Sequence, residues 1–113
     1  MGSRVKEEEM SEWIDVVPES ELPVGGRKVI TTPYAEIAVF NLDGELFAIE
    51  DVCTHDGGEL ASGACEGDQI ICPRHGARFC IRDGRSLSPP AYENIDTFPV
   101  RVENGMVQVD LDE

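Results

Sequence analysis

Two histidines occur in the chain, and each follows a cysteine at close range. The first pair lies in Cys53-Thr54-His55-Asp56-Gly57-Gly58, the second in Cys72-Pro73-Arg74-His75-Gly76-Ala77-Arg78-Phe79. The pattern is C-x-H, then residues 56–71, then C-x-x-H. Thiolates and imidazoles together suit iron–sulfur clusters and zinc. A lone Cys or His is more often a buried core residue. Four such donors in two matched glycine-bearing loops are not explained that way. A Cys2His2 set also suits a structural zinc module, although a zinc finger places both cysteines before both histidines, whereas here the types alternate. Four cysteines in a short chain could instead form two disulfides in a secreted protein, but the charged segment Met1 to Met10 lacks the apolar core of a signal peptide.

C-x-H with a following glycine, then C-P-x-H-G, resembles the fingerprint of the Rieske ferredoxin family. The likeness is close in the two loops and extends through β-rich flanks along most of the chain. It implies one [2Fe–2S] cluster, with Cys53 and Cys72 on a buried iron and His55 and His75 on an outer iron near the surface. Two neutral imidazoles in place of two thiolates make such a site less negative and easier to reduce. Gly57, Gly58 and Gly76 would permit tight turns and close approach of backbone N–H groups to sulfur, and Pro73 would stiffen the second loop.

The respiratory branch of that family differs at four positions. It carries an extra cysteine pair, as a disulfide, where this chain has Gly58 and Arg74. It also carries a serine and a tyrosine that hydrogen-bond sulfur where this chain has Ala77 and Phe79. Without those donors the reduced state loses stabilisation, so the likeness implies a low-potential centre, at about −150 mV. It also implies an electron carrier, not an enzyme. Such a carrier takes single electrons from a flavin- and NAD(P)H-dependent reductase and passes them to a terminal oxygenase. Other clients, in nitrite reduction or iron–sulfur assembly, fit the same cluster. An oxygenase in its own right commonly needs two further histidines and a carboxylate for mononuclear iron. With both histidines taken by the cluster, this chain cannot supply them.

The elements that must position these loops read as short strands. Trp13 to Val17 is a strand ended by Pro18, and Pro18 to Pro23 is an irregular link. Arg27 to Thr31 follows the Gly25-Gly26 turn, and Glu36 to Leu42 returns through Asp43-Gly44 into Glu45 to Glu50. Asp-Gly between apolar strands is a strong hairpin signal. Gln69 to Ile71 leads into Cys72, and Phe79 to Arg82 pairs with Arg85 to Leu87 through Asp83-Gly84. Ile95 to Val102 and Met106 to Leu111 flank Asn104-Gly105. Val100, Val102, Val107, Val109 and Leu111 alternate with polar residues, as half-buried strands do. No stretch carries a helical period. The expected fold is all-β, a small antiparallel barrel or sandwich with two cluster-binding loops.

Length predicts a single domain over residues 1–113, with 1–10 disordered and the cluster-binding part at about 51–90. Cys65 and Cys80 match no ligand position and read as ordinary thiols, one or both buried; a disulfide between them lacks support. The charge balance is 9 basic against 23 acidic residues, a formal net charge of −14. That excess disfavours nucleic acid and favours partners with basic docking surfaces, besides promoting solubility. No apolar run is long enough to span a membrane, and no G-x-G-x-x-G motif offers a nucleotide site. A cytoplasmic location is expected.

Overall fold

The computed structural model describes residues 13–111; the disorder expected for residues 1–10 lies outside the described residues. Ten strands follow in chain order: β1 (Trp13–Pro18), β2 (Arg27–Thr31), β3 (Glu36–Leu42), β4 (Glu45–Glu50), β5 (Cys65–Glu66), β6 (Gln69–Ile71), β7 (Arg78–Cys80), β8 (Thr97–Phe98), β9 (Val100–Glu103) and β10 (Met106–Asp110). The only helical element among the described residues is one 3-10 turn at Glu19–Glu21, within the link expected to be irregular. The strands form three antiparallel sheets, ordered β1-β10-β9, β2-β3-β4-β8 and β5-β6-β7. The fold is therefore the expected all-β one.

The four-stranded sheet is the middle layer, and β3 shows why. Ile37, Ala38, Val39 and Phe40 are all buried, so both faces of this strand are covered. Ile37 and Val39 join a core with Val17, Val107 and Val109 from the β1-β10-β9 sheet. Ala38 and Phe40 point the other way, into a core with Leu60, Ile70, Phe79, Ile81, Cys53 and Cys72. A strand side chain alternates faces with a period of two, so one unbroken apolar run serves two cores. Each large side chain so buried contributes about 1.5–3 kcal/mol. The second core contains the two cysteines of the matched loops, so those loops are part of the packed body.

Both expected hairpins with Asp-Gly and Asn-Gly turns are present. Asp43 and Asn104 take φ of 55° and 54°, and the following glycines are also left-handed, as the tight two-residue turn requires. Pro18 closes β1, which pairs only with β10 and so sits at a sheet edge, where its missing N–H does no harm.

Three expectations need correction. Ile95 to Val102 is not one strand. Pro99 interrupts it, and β8 pairs with β4 in the middle sheet while β9 pairs with β10 in the outer one. A proline supplies no ladder N–H, and the break lets the chain change sheets. Val102, on the alternating face, is 39% exposed, because β9 is an edge strand. The hairpin at Asp83-Gly84 is reduced to β7 and an isolated Phe79–Ser86 bridge. β5 was not expected, and it is a two-residue strand that pairs with β6.

Candidate metal centre

Each loop is one turn with the same backbone bonds. Cys53 N–H donates to Gly58 C=O at 2.7 Å, and Gly57 N–H donates to Cys53 C=O at 2.7 Å. In the second loop Cys72 N–H donates to Ala77 C=O at 2.7 Å, and Gly76 N–H donates to Cys72 C=O at 3.0 Å. Gly57 and Gly76 sit at φ +77° and +79°, where a side chain is strained. The glycine four places after each cysteine is therefore a geometric requirement of the turn.

The same turn recurs a third time. Cys80 N–H donates to Arg85 C=O at 2.9 Å, and Gly84 N–H, with φ +79°, donates to Cys80 C=O at 2.7 Å. The signal was available as C-x-x-x-G at Cys53, Cys72 and Cys80, a repeat that ligand spacing alone does not reveal. The third copy lacks a histidine.

The structure brings the four expected ligand residues to one end of the molecule, in two pairs. Cys53 and Cys72 are buried, at 0% and 2% exposure, and their thiols gather within 4.8 Å of one another and of an Asp56 carboxylate oxygen. His55 and His75 are exposed, with ring centroids 4.9 Å apart and planes at 88°. Their ring nitrogens gather with the same Asp56 carboxylate, also within 4.8 Å. The thiol pair and the imidazole pair thus border one space, yet they form two separate groups. Burial pushes the Cys53 thiol up, and the backbone N–H groups of His55 and Asp56 only partly oppose this. Two thiolates side by side in that position need a positive centre between them.

Ala77 and Phe79 are fully buried beside Cys72 in the core and offer no hydroxyl. Arg74 lies across both loops and Arg78 reaches away, donating to Glu66 at 2.8 Å and Gln69 at 3.1 Å. A further segment closes the flank, with Thr54 Oγ1 donating to Glu93 C=O at 2.7 Å. In it the Pro89–Pro90 peptide is cis, and Tyr92 is 82% exposed. All four cysteines are free thiols; Cys80 is buried and Cys65 half-buried, on strands separated by β6.

Sequence reasoning missed two residues that seat the first loop. Asp51 is a buried carboxylate, and its Oδ1 accepts from the N–H groups of Leu60 and Ala61 at 2.7 and 2.8 Å. Arg27, on β2, donates to Ala61 C=O at 2.6 Å, Gly63 C=O at 2.8 Å and Cys65 Sγ at 3.1 Å. The turn that follows the loop is thus gripped from both sides by the middle sheet. Asp51 stands two places before Cys53, but nothing in that spacing sets it apart from the other acids of the chain. Arg27 gives no signal either, because its contacts lie 34 or more residues away.

The model of the family described as Rieske [2Fe-2S] domain matches residues 12–99. The ferredoxin component of the naphthalene 1,2-dioxygenase system of Pseudomonas aeruginosa is 38% identical over 99 residues, covering 88% of this chain and 95% of that protein. The 3-phenylpropionate/cinnamic acid dioxygenase ferredoxin subunit of Photorhabdus laumondii is 42% identical over 95 residues, covering 82% and 89%. Among solved structures, a chain in a complex of reduced oxygenase and oxidised ferredoxin in carbazole 1,9a-dioxygenase superposes with a TM-score of 0.82. It is 32% identical, over 87% of this chain and 92% of that one.

Proposed function

Since the chain belongs to the Rieske [2Fe–2S] domain family, we propose that Cys53, His55, Cys72 and His75 hold its one [2Fe–2S] cluster and that the protein carries single electrons to a terminal oxygenase. The observation that carries the ligand assignment is the split of the four donors into a buried thiol pair and an exposed imidazole pair around one space. A single zinc ion would need all four donors converging on one point. A two-iron group with thiolates on one iron and imidazoles on the other needs the split. The cluster, when bound, supplies one-electron oxidation and reduction at a potential set by its ligands and their surroundings.

The residues of the chain do the rest. Cys53 and Cys72 anchor the inner side in the apolar core, which excludes water from the sulfurs. His55 and His75 present their ring edges to solvent, so a partner can approach closely at that end. The tip around them is the docking face. Ala77 and Phe79, buried beside Cys72, offer no side-chain hydroxyl on the inner side, which keeps the potential low for this type of centre, at about −150 mV. The chain performs no turnover itself and works as a component.

Partner identity rests on chemistry and on the relatives. The relatives' names place them in dioxygenase systems, and one structural match comes from an oxygenase–ferredoxin complex. On this reading the electrons come from a flavin- and NAD(P)H-dependent reductase. With a net charge of −14, both partners would dock through basic surfaces, and their association would weaken with added salt. The same acidic excess disfavours nucleic acid as a partner. Among the described residues no helix is long and apolar enough to cross a membrane. The chain works as one domain in the cytoplasm, with the cluster-binding part at about 51–90.

Anaerobically purified protein is expected to contain roughly two irons and two acid-labile sulfides per chain. An EPR signal should appear only after dithionite. About one zinc without sulfide would replace this function with a structural zinc module. A spectroelectrochemical titration should place the midpoint near −150 mV, and a strongly positive midpoint would overturn the low-potential assignment.

A further inference from the structure

Arg74 joins the two loops. Its Nε donates to Asp56 Oδ2 at 2.6 Å and its Nη2 donates to Asp56 Oδ1 at 3.2 Å, a bidentate fork from the second loop onto the first. Nη2 also donates to Glu59 C=O at 2.8 Å. The guanidinium lies against Gly58, where an added Cβ would collide with its Cζ, Nη2 and Nε. Gly58 therefore makes room for Arg74. On its other side Asp56 Oδ1 accepts from Gly58 N–H at 2.9 Å.

The placement of this pair is what gives it a role. Among the described residues Asp56 is the one carboxylate within 4.8 Å of both the thiols and the imidazole nitrogens, and its Oδ2 lies 3.4 Å from His75 Nδ1. A bare negative charge there would oppose any added electron. Arg74 faces the same carboxylate and cancels that charge. The side chains of Asp56 and Arg74 keep 19% and 35% of their exposure, so salt screens the interaction but does not remove it.

We propose that Arg74 is a positioning residue that clips the two loops together and, by masking Asp56, sets the reduction potential of the centre between them. The proposal rests on the cluster assignment made above. Its two parts are separable by substitution. Arg74→Gln leaves Asp56 unmasked, so the potential should fall. Asp56→Asn removes the nearer carboxylate and leaves the Arg74 charge with only the Glu59 carboxylate, 3.9 Å from its Nη1, so the potential should rise. The double variant should return close to the parent value, since the net local charge is restored. Arg74→Lys keeps the charge but loses the fork. Its potential should stay near the parent value, while iron loss to a chelator accelerates by roughly two- to fivefold, the range expected for losing an exposed pair.

The test is redox titration of the intact, cluster-loaded chain and these four variants, with iron and sulfide content measured on each. Opposite shifts for Arg74→Gln and Asp56→Asn, cancelling in the double variant, are the expected result. Shifts in one direction, or none, in chains of parent iron and sulfide content would overturn the clip and leave the electron carrier standing. If Arg74→Gln purifies without iron, Asp56→Asn alone decides: a raised potential supports the clip, and an unchanged or lowered one overturns it. Parent protein devoid of iron and sulfide would overturn both the clip and the function on which it rests.

Discussion

Cys72→Ser is expected to purify with only traces of iron and sulfide and to lose visible absorption, whereas Cys65→Ser and Cys80→Ser keep the content of the parent protein. Cys72 is 2% exposed and packs in the core with Cys53, Phe79 and Ala77. A serine hydroxyl there would not ionise near neutral pH, and it is a hard donor where a soft thiolate is required. Metal binding also contributes folding free energy, so the variant should unfold at lower temperature. Cys65 and Cys80 lie on β5 and β7, outside the two donor groups, and removing either takes away no donor. Iron and acid-labile sulfide assays on the three variants settle the matter. Normal iron in Cys72→Ser, or equal loss in all three, would refute the ligand assignment.

Asp51→Ala should cost about 2–5 kcal/mol in urea denaturation of the loaded protein, because two N–H groups lose a charged acceptor and are left buried. Those groups belong to Leu60 and Ala61, which are 0% and 8% exposed. Asp51→Asn keeps an acceptor oxygen in the same place and should lose markedly less. The effect is large because Asp51 is 6% exposed, so water cannot readily replace its carboxylate. A midpoint for Asp51→Ala within about 0.5 kcal/mol of the parent protein, the range of an ordinary surface substitution, would show that the turn does not depend on it. Because Asp51 and the Leu60–Ala61 turn bracket the first loop, iron retention should fall together with stability.

These two predictions differ in how far they could be seen in advance. The first follows from residue types at short spacing. Cysteine and histidine are scarce and chemically particular, so C-x-H and C-x-x-H mark candidate ligands before any fold is known. The second depends on a contact that neither residue type nor spacing announces. Asp51 could have been one more surface acid in a chain with 23 of them. Strands behaved in the same way. Asp43-Gly44 and Asn104-Gly105 are local signals, because a two-residue turn with left-handed residues is decided by its own atoms. The break at Pro99 carried its local signal in the missing N–H, but its consequence, a strand leaving one sheet for another, belongs to the packing of both sheets.

By itself the sequence determined the candidate donor residues, the turns that carry them and the apolar run of β3, since each depends on neighbours within a few residues. Tertiary structure alone decided that Ile37 and Val39 face one core and Ala38 and Phe40 another. It likewise brought Arg27 and Asp51 onto one turn, and laid Arg74 over Gly58 beside Asp56. The physical reason is range. Turn geometry and metal-ligand spacing are local, whereas burial, charge masking and long-range hydrogen bonds exist only once separate strands have been packed against one another.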